Sequence, residues 1–146
     1  MVYKIDSPEQ TEALGRTLAA HLADTNVKRA FITLDGEMGV GKTVFCRGFA
    51  SHFGITGVKS PTYTVVNEYR SADGTRIFHF DLYRIDGEDD LESIGFSDYV
   101  RSAGYSIAEW SSRVPNEIPE DAIHVLIERV AEDENARKIE ITGIPV

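Results

Sequence analysis

Cysteine is nearly absent from this 146-residue chain: Cys46 stands alone, so neither a disulfide framework nor a cysteine-based zinc cluster can form within it. Cys46 shares a helical spacing with Phe45, Phe49 and Phe53, which makes it a small buried hydrophobe rather than a nucleophile or metal ligand. The sequence also lacks an apolar run long enough to span a bilayer and a signal-peptide pattern, which predicts a cytoplasmic protein with no membrane association. Basic residues are in deficit, with 15 Lys and Arg against 24 Asp and Glu and a net charge of −9. A surface that holds nucleic acid by its phosphates is normally basic, so autonomous nucleic-acid binding is not expected. The acidic residues crowd into Asp86 to Glu92 and Glu117 to Glu134. Each stretch reads first as a solvated face and second as a docking surface for a basic partner. Internal repeats and low-complexity segments are missing as well. With 42% hydrophobic residues, the chain can bury a full core, and one domain over residues 1–146 is expected.

What is present is an octet, Gly36 to Thr43, reading GEMGVGKT, a complete Walker A phosphate loop of the form G-x-x-x-x-G-K-[ST]. Its glycines let the backbone curl so that successive N–H groups converge on a phosphate. Lys42 would reach the β- and γ-phosphates, and the Thr43 hydroxyl would coordinate Mg²⁺. Thr43 also opens a helix whose N-terminal dipole favours an anion. The flanks agree: Ala30 to Leu34 is a short apolar run that reads as a buried parallel strand, and a helical pattern follows the loop until Gly54.

Elsewhere, Ser7-Pro8-Glu9-Gln10 has the form of a capping box ahead of Leu14, Leu18 and Leu22 on one helical face, so the chain is expected to start with a helix. Two β-prone runs between Thr62 and Asp81, separated by Ser71 to Gly74, predict an antiparallel hairpin. Strands are expected over Tyr105 to Trp110, Ile123 to Arg129 and Lys138 to Thr142, with a helical stretch over Asp89 to Arg101. The fold class is α/β, a three-layer P-loop NTPase-like domain with a mixed sheet, parallel at its core with an antiparallel hairpin.

A Walker A loop needs carboxylates to hold Mg²⁺ and orient the attacking group. Asp81 and Glu109 both end strand-like runs, and strand C-termini face the ligand in such sheets. Position alone does not separate a functional role for either from an ordinary strand-end charge. His79, between apolar neighbours, reads as a packed or hydrogen-bonded histidine rather than a base. Lys59 to Thr64 reads as a turn, of the kind that can order around a γ-phosphate or simply form surface.

Taken together, GEMGVGKT, VKSPTYT (58–64), HFDLYR (79–84) and AEW (108–110) resemble the bacterial TsaE (YjeE) ATPases, over about Ser7 to Arg137. The resemblance implies ATP or ADP with Mg²⁺ as cofactors. It implies protein partners TsaD and TsaB, and a role in forming threonylcarbamoyladenosine beside the anticodon of tRNA that is reached through that complex. It implies that Glu37, Met38, Gly39, Val40, Gly41, Lys42 and Thr43 cradle the phosphates, and that Thr62 and Thr64 belong to a switch-like loop near the γ-phosphate. Asp81 would be a Walker B-type acid, and Glu109 the acid associated with Mg²⁺ and hydrolysis, with Trp110 beside it. Lys42, Asp81 and Glu109 would then be catalytic, and Thr43, Asp81 and Glu109 would serve the metal. The adenine is expected between Pro8 and Thr11 on one side and Ala136 and Arg137 on the other. Met38-Gly39-Val40 stands where Leu-Gly-Ala is frequent, a change that leaves the backbone cradle intact. Two other classes share the loop: a small-molecule kinase, for which no acceptor-binding arginine cluster is seen, and a nucleotide-sensing adaptor without significant turnover.

Overall fold

The computed structural model describes residues 1–61 and 64–144. One seven-stranded sheet runs through it in the order β1-β7-β6-β2-β5-β4-β3. The strands are β1 (Val2–Ile5), β2 (Arg29–Asp35), β3 (Val66–Arg70), β4 (Arg76–Asp81), β5 (Gly104–Glu109), β6 (Ile123–Val130) and β7 (Asp133–Thr142). The four central strands, β6, β2, β5 and β4, are mutually parallel. Antiparallel pairs flank them: β3 with β4 on one side, and β7 with β6 and β1 on the other. The expected mixed sheet and the 62–81 hairpin are both seen in the described part of that segment.

Side chains alternate across this sheet and build a core on each face. On one face, helices α1 (Pro8–Asp24) and α2 (Lys42–Ser51) pack Leu18, Leu22, Phe45 and Phe49 against Ile32, Ile107, Val125 and Ile139. On the other, α3 (Glu88–Ser93) and α4 (Phe96–Arg101) cover Phe31, Phe78 and Phe80 through Leu91 and Phe96. The Phe96 ring meets Phe31 and Phe80 with centroids 5.9 and 5.1 Å away. Each such buried aromatic contributes about 1.5–3 kcal/mol. The second helical layer stops short of β6, whose outward residues are solvent-facing, Leu126 among them.

Helix α1 begins as its sequence dictates. Ser7 Oγ accepts from Gln10 N at 3.3 Å, and the Gln10 side chain reaches back to accept from Asp6 N at 2.7 Å. It crosses α2 at two glycines. A Cβ at Gly15 would run into the Phe45 carbonyl oxygen, and one at Gly48 into that of Glu12, so the two backbones touch directly.

Three expectations are corrected. The chain begins with strand β1, not a helix; Ile5 is buried and Tyr3 half-buried, and pairing with β7 holds a segment too short to announce itself. The helical stretch over 89–101 is two short helices, because Gly95 adopts a left-handed conformation at φ 76° between them. Strand β7 starts at Asp133, before Lys138, since pairing with β6 rather than side-chain burial defines its polar first half.

Candidate functional site

The loop that follows β2 is set by backbone geometry. Gly36 and Gly41 have φ of 153° and 118°, values that residues with a Cβ rarely adopt. At Gly36 a Cβ would also lie 2.6 Å from the Ile127 carbonyl oxygen. Gly41 is the N-cap of α2, so Lys42 and Thr43 form the first helical turn, whose N–H groups have no intrahelical acceptor. The helix starts at Lys42, one residue ahead of the expected Thr43.

Two arginines of the β6–β7 hairpin brace this loop by its carbonyls. Arg129 Nη2 donates to Met38 O at 3.0 Å, and Arg137 Nε donates to Val40 O at 3.0 Å. The two face each other in the strand register. The resemblance implies Arg137 beside the adenine rather than as a brace, and it does not point to Arg129; two basic residues opposed across a hairpin are the available signal. Glu37 points its side chain to solvent, 3.5 Å from Arg129, so what it brings to the loop is backbone.

Beside the loop lies a cleft of about 320 Å³. Lys42, Thr43, Asp81, Glu109 and Trp110 line it, together with Ser60. Strands β4 and β5 deliver the acids: Asp81 and Glu109 are register partners at their C-terminal ends. Asp81 is half-buried and its Oδ1 accepts from Tyr83 N at 3.0 Å, while its own N–H donates to Val65 O. Glu109 is only 5% exposed. Its Oε1 lies 3.7 Å from Lys42 Nζ and its Oε2 2.6 Å from His79 Nε2. Lys42 Nζ also donates to Gly36 O at 2.7 Å and sits 4.4 Å from the centre of the Trp110 ring. That ring is aimed by a left-handed turn at Trp110, φ 61°, an uncommon conformation for a residue with a large side chain.

Charge within the cleft is unevenly buffered. Burial alone would lower the His79 pKa, but Cys46 and then Glu109, packed against its ring, outweigh this and hold the imidazole up at about 10. Asp35, behind the loop, is raised by burial against the lowering pull of His124, Lys42 and Thr33.

A smaller pocket of about 160 Å³ adjoins the loop on its other flank, between Pro8 and Thr11 of α1, Val44 of α2, and Asn135 and Arg137 of β7. This is where the adenine was expected, with Asn135 rather than Ala136 facing the space. Among the switch-like residues, Thr64 donates to Asn67 Oδ1 at 2.8 Å and does not line the cleft; Thr62 lies outside the described residues. The largest cavity near the loop, about 600 Å³ between Asp35, Trp110, Pro115 and His124, contains neither Lys42 nor Thr43 and has no claim on the phosphates.

The donor set fits a magnesium nucleotide. A curled backbone at a helix N-terminus suits phosphate, and a hydroxyl with two carboxylates supplies the hard oxygen ligands that Mg²⁺ takes. Among the described residues there is no group of three or more His, Cys, Asp or Glu side chains that could hold a metal ion.

Comparison with known proteins assigns the chain to a family. The family model for the threonylcarbamoyl adenosine biosynthesis protein TsaE matches residues 5–139. A tRNA threonylcarbamoyladenosine biosynthesis protein TsaE from Bacillus subtilis is 36% identical over 140 residues, 94% of this chain and 82% of that protein. Its counterpart from Haemophilus influenzae is 39% identical over 129 residues, 87% and 79% of the two chains. The crystal structure of Bacillus subtilis YdiB superposes with a TM-score of 0.79 at 28% identity, covering 99% of this chain and 86% of that one. With its phosphate loop, its paired strand-end acids and this match over nearly its whole length, the chain belongs to the TsaE family of tRNA threonylcarbamoyladenosine biosynthesis.

Proposed function

We propose that this chain is a Mg²⁺-dependent ATPase, slow alone and stimulated by protein partners, that supports threonylcarbamoyladenosine formation with TsaD and TsaB in the cytoplasm. The observation that carries this reading is the convergence of Lys42, Thr43, Asp81 and Glu109 on one cleft. Lys42 Nζ donates to Gly36 O at the mouth of the loop, from where it would reach the β- and γ-phosphate oxygens of ATP. Thr43 and Asp81 would hold Mg²⁺ and its water shell, and the metal would supply positive charge against the phosphates. Glu109, buried and fixed on two sides, orients the attacking water. The ring of Trp110 walls the cleft beside it and limits bulk water. A net charge of −9 disfavours direct tRNA binding, so tRNA is reached through the partners. Among the described residues no helix is long and apolar enough to cross a membrane.

Phosphoryl-transfer sites often draw an extra positive group or an ordered loop from a partner, which accounts for slow turnover alone. The test is direct. Lys42→Ala should weaken ATP binding roughly ten- to a hundredfold by calorimetry, through lost charged hydrogen bonds worth about 1.5–3 kcal/mol. TsaD with TsaB should raise hydrolysis by the wild type and not by this variant. Equal ATP affinity in both proteins, or phosphate transfer to a small-molecule acceptor in place of hydrolysis, overturns the reading.

A further inference from the structure

His79 is the buried titratable group to which the proposed chemistry gives no task. It sits in the middle of β4, 1% exposed, on the face covered by α2. Its register partner on β5 is Ile107, so its ring lies one step behind Glu109 on the same face and reaches forward to it. Nε2 is 2.6 Å from Glu109 Oε2 and 3.5 Å from Cys46 Sγ, while Nδ1 is buried and has no protein partner among the described residues. The ring therefore has one strong polar contact, and that contact is to a carboxylate.

The consequence lies in how the two oxygens of Glu109 are divided. Oε2 is taken by His79, which leaves Oε1 turned to Lys42 and the cleft. Rotating the carboxylate would strip His79 of its acceptor and leave a buried donor unpaired, a state that folded proteins avoid. Cys46 packs against the imidazole from α2, and the ring is almost wholly shielded from solvent. The ring is thus held where only one orientation of Glu109 satisfies it. We propose that His79 is a positioning residue that, by donating from Nε2 to Glu109 Oε2, fixes the Glu109 carboxylate toward the phosphate cleft and sets where Lys42 rests before nucleotide arrives. This inference rests on the role given to Glu109 above.

The single tryptophan of the chain provides a readout independent of turnover, because Lys42 Nζ lies against its ring. Trp110 emission in the nucleotide-free protein should shift in His79→Leu, which fills the space without a donor, and in Glu109→Gln. The double variant should shift no further than Glu109→Gln alone, since the two residues act through one contact. His79→Gln, whose amide can donate from near the Nε2 position, should keep the wild-type emission. Under partner stimulation, His79→Leu should lower kcat about tenfold while KM for ATP stays within about twofold, the pattern of a lost transition-state interaction, and His79→Gln should recover most of the loss. Unchanged emission in His79→Leu, additive shifts in the double variant, or equal losses in the Leu and Gln variants would overturn the proposal. If His79→Leu does not fold, His79→Asn replaces it: its amide is too short to reach Glu109, so identical emission in the Asn and Gln variants overturns the proposal equally. A wild type that binds ATP without hydrolysing it defeats the ATPase reading, while the emission cycle still decides on His79. Normal hydrolysis that Glu109→Gln abolishes and His79→Leu leaves intact defeats the positioning role alone.

Discussion

Asp81 and Glu109 end neighbouring parallel strands and stand opposite each other in register, yet their surroundings differ. The β5 end is sealed: Glu109 is 5% exposed and meets a lysine and a histidine. The β4 end is open: Asp81 is half-buried and its carboxylate accepts from the Tyr83 backbone. A carboxylate that keeps part of its hydration can exchange ligands cheaply, whereas one fixed in a dry wall has already met the cost of orientation. Equivalent strand positions therefore give one adaptable acid, suited to a metal and its waters, and one preorganised acid, suited to aligning a nucleophile.

The comparison breaks most visibly in turnover. Glu109→Gln should reduce partner-stimulated hydrolysis by about 10²–10³, the loss usual for a preorganised electrostatic group, while leaving nucleotide affinity nearly intact. Asp81→Asn should cost about tenfold in turnover and shift the Mg²⁺ concentration needed for half-maximal rate. Steady-state kinetics across a Mg²⁺ titration separates the two, and equal profiles would show that burial does not divide their roles.

Stability offers a second contrast. Glu109→Ala leaves Lys42 and His79 buried without their shared acceptor and should destabilise the fold by about 3 kcal/mol; Lys42 keeps its bond to Gly36 O, which places the loss at the low end for a broken buried pair. Asp81→Ala should cost about 1 kcal/mol, the net worth of one hydrogen bond. Urea denaturation midpoints measure both, and the reverse order would mean that the sealed end is strained.

Asp35 supplies the smallest effect. Its folded pKa is raised by burial, so the ionised form is disfavoured by folding, and stability improves as pH falls through the folded pKa toward the ordinary value. Asp35→Asn should stabilise the protein at neutral pH by under about 0.5 kcal/mol, since the site keeps considerable exposure to solvent. The advantage should shrink as pH falls through the folded pKa and be gone by about pH 3, where the wild-type carboxyl is largely neutral in both states. A gain that persists in acid would trace to packing instead.

Much of this arrangement is legible in the sequence, because the glycines and the lysine of the loop are dictated locally by backbone conformation and phosphate chemistry. Strand-end acids are legible for a related reason, since an apolar run that stops at a carboxylate marks a strand's C-terminal end, where ligands gather in such sheets. What sequence conceals is partnership across the sheet. His79 looks like a packed histidine until β4 and β5 align it with Glu109. Arg129 looks like a surface cation until the hairpin lays it under Met38 O. Strand β1 and the first half of β7 are hidden likewise, since pairing holds them in place of an apolar pattern. The break at Gly95 is hidden as well, since a glycine can sit within a helix or end it, and only the structure shows its left-handed backbone.

Gly15 and Gly48 contribute no chemistry to the cleft, yet they fix its tolerance to change. Because α1 and α2 meet there backbone to backbone, the helix that carries Lys42 and Thr43 cannot slide or tilt without moving the helix that carries Pro8 and Thr11. The two walls of the candidate nucleotide site are thus one mechanical piece, and divergence over time is free to repaint the outer faces of both helices but not to add a single carbon where they cross.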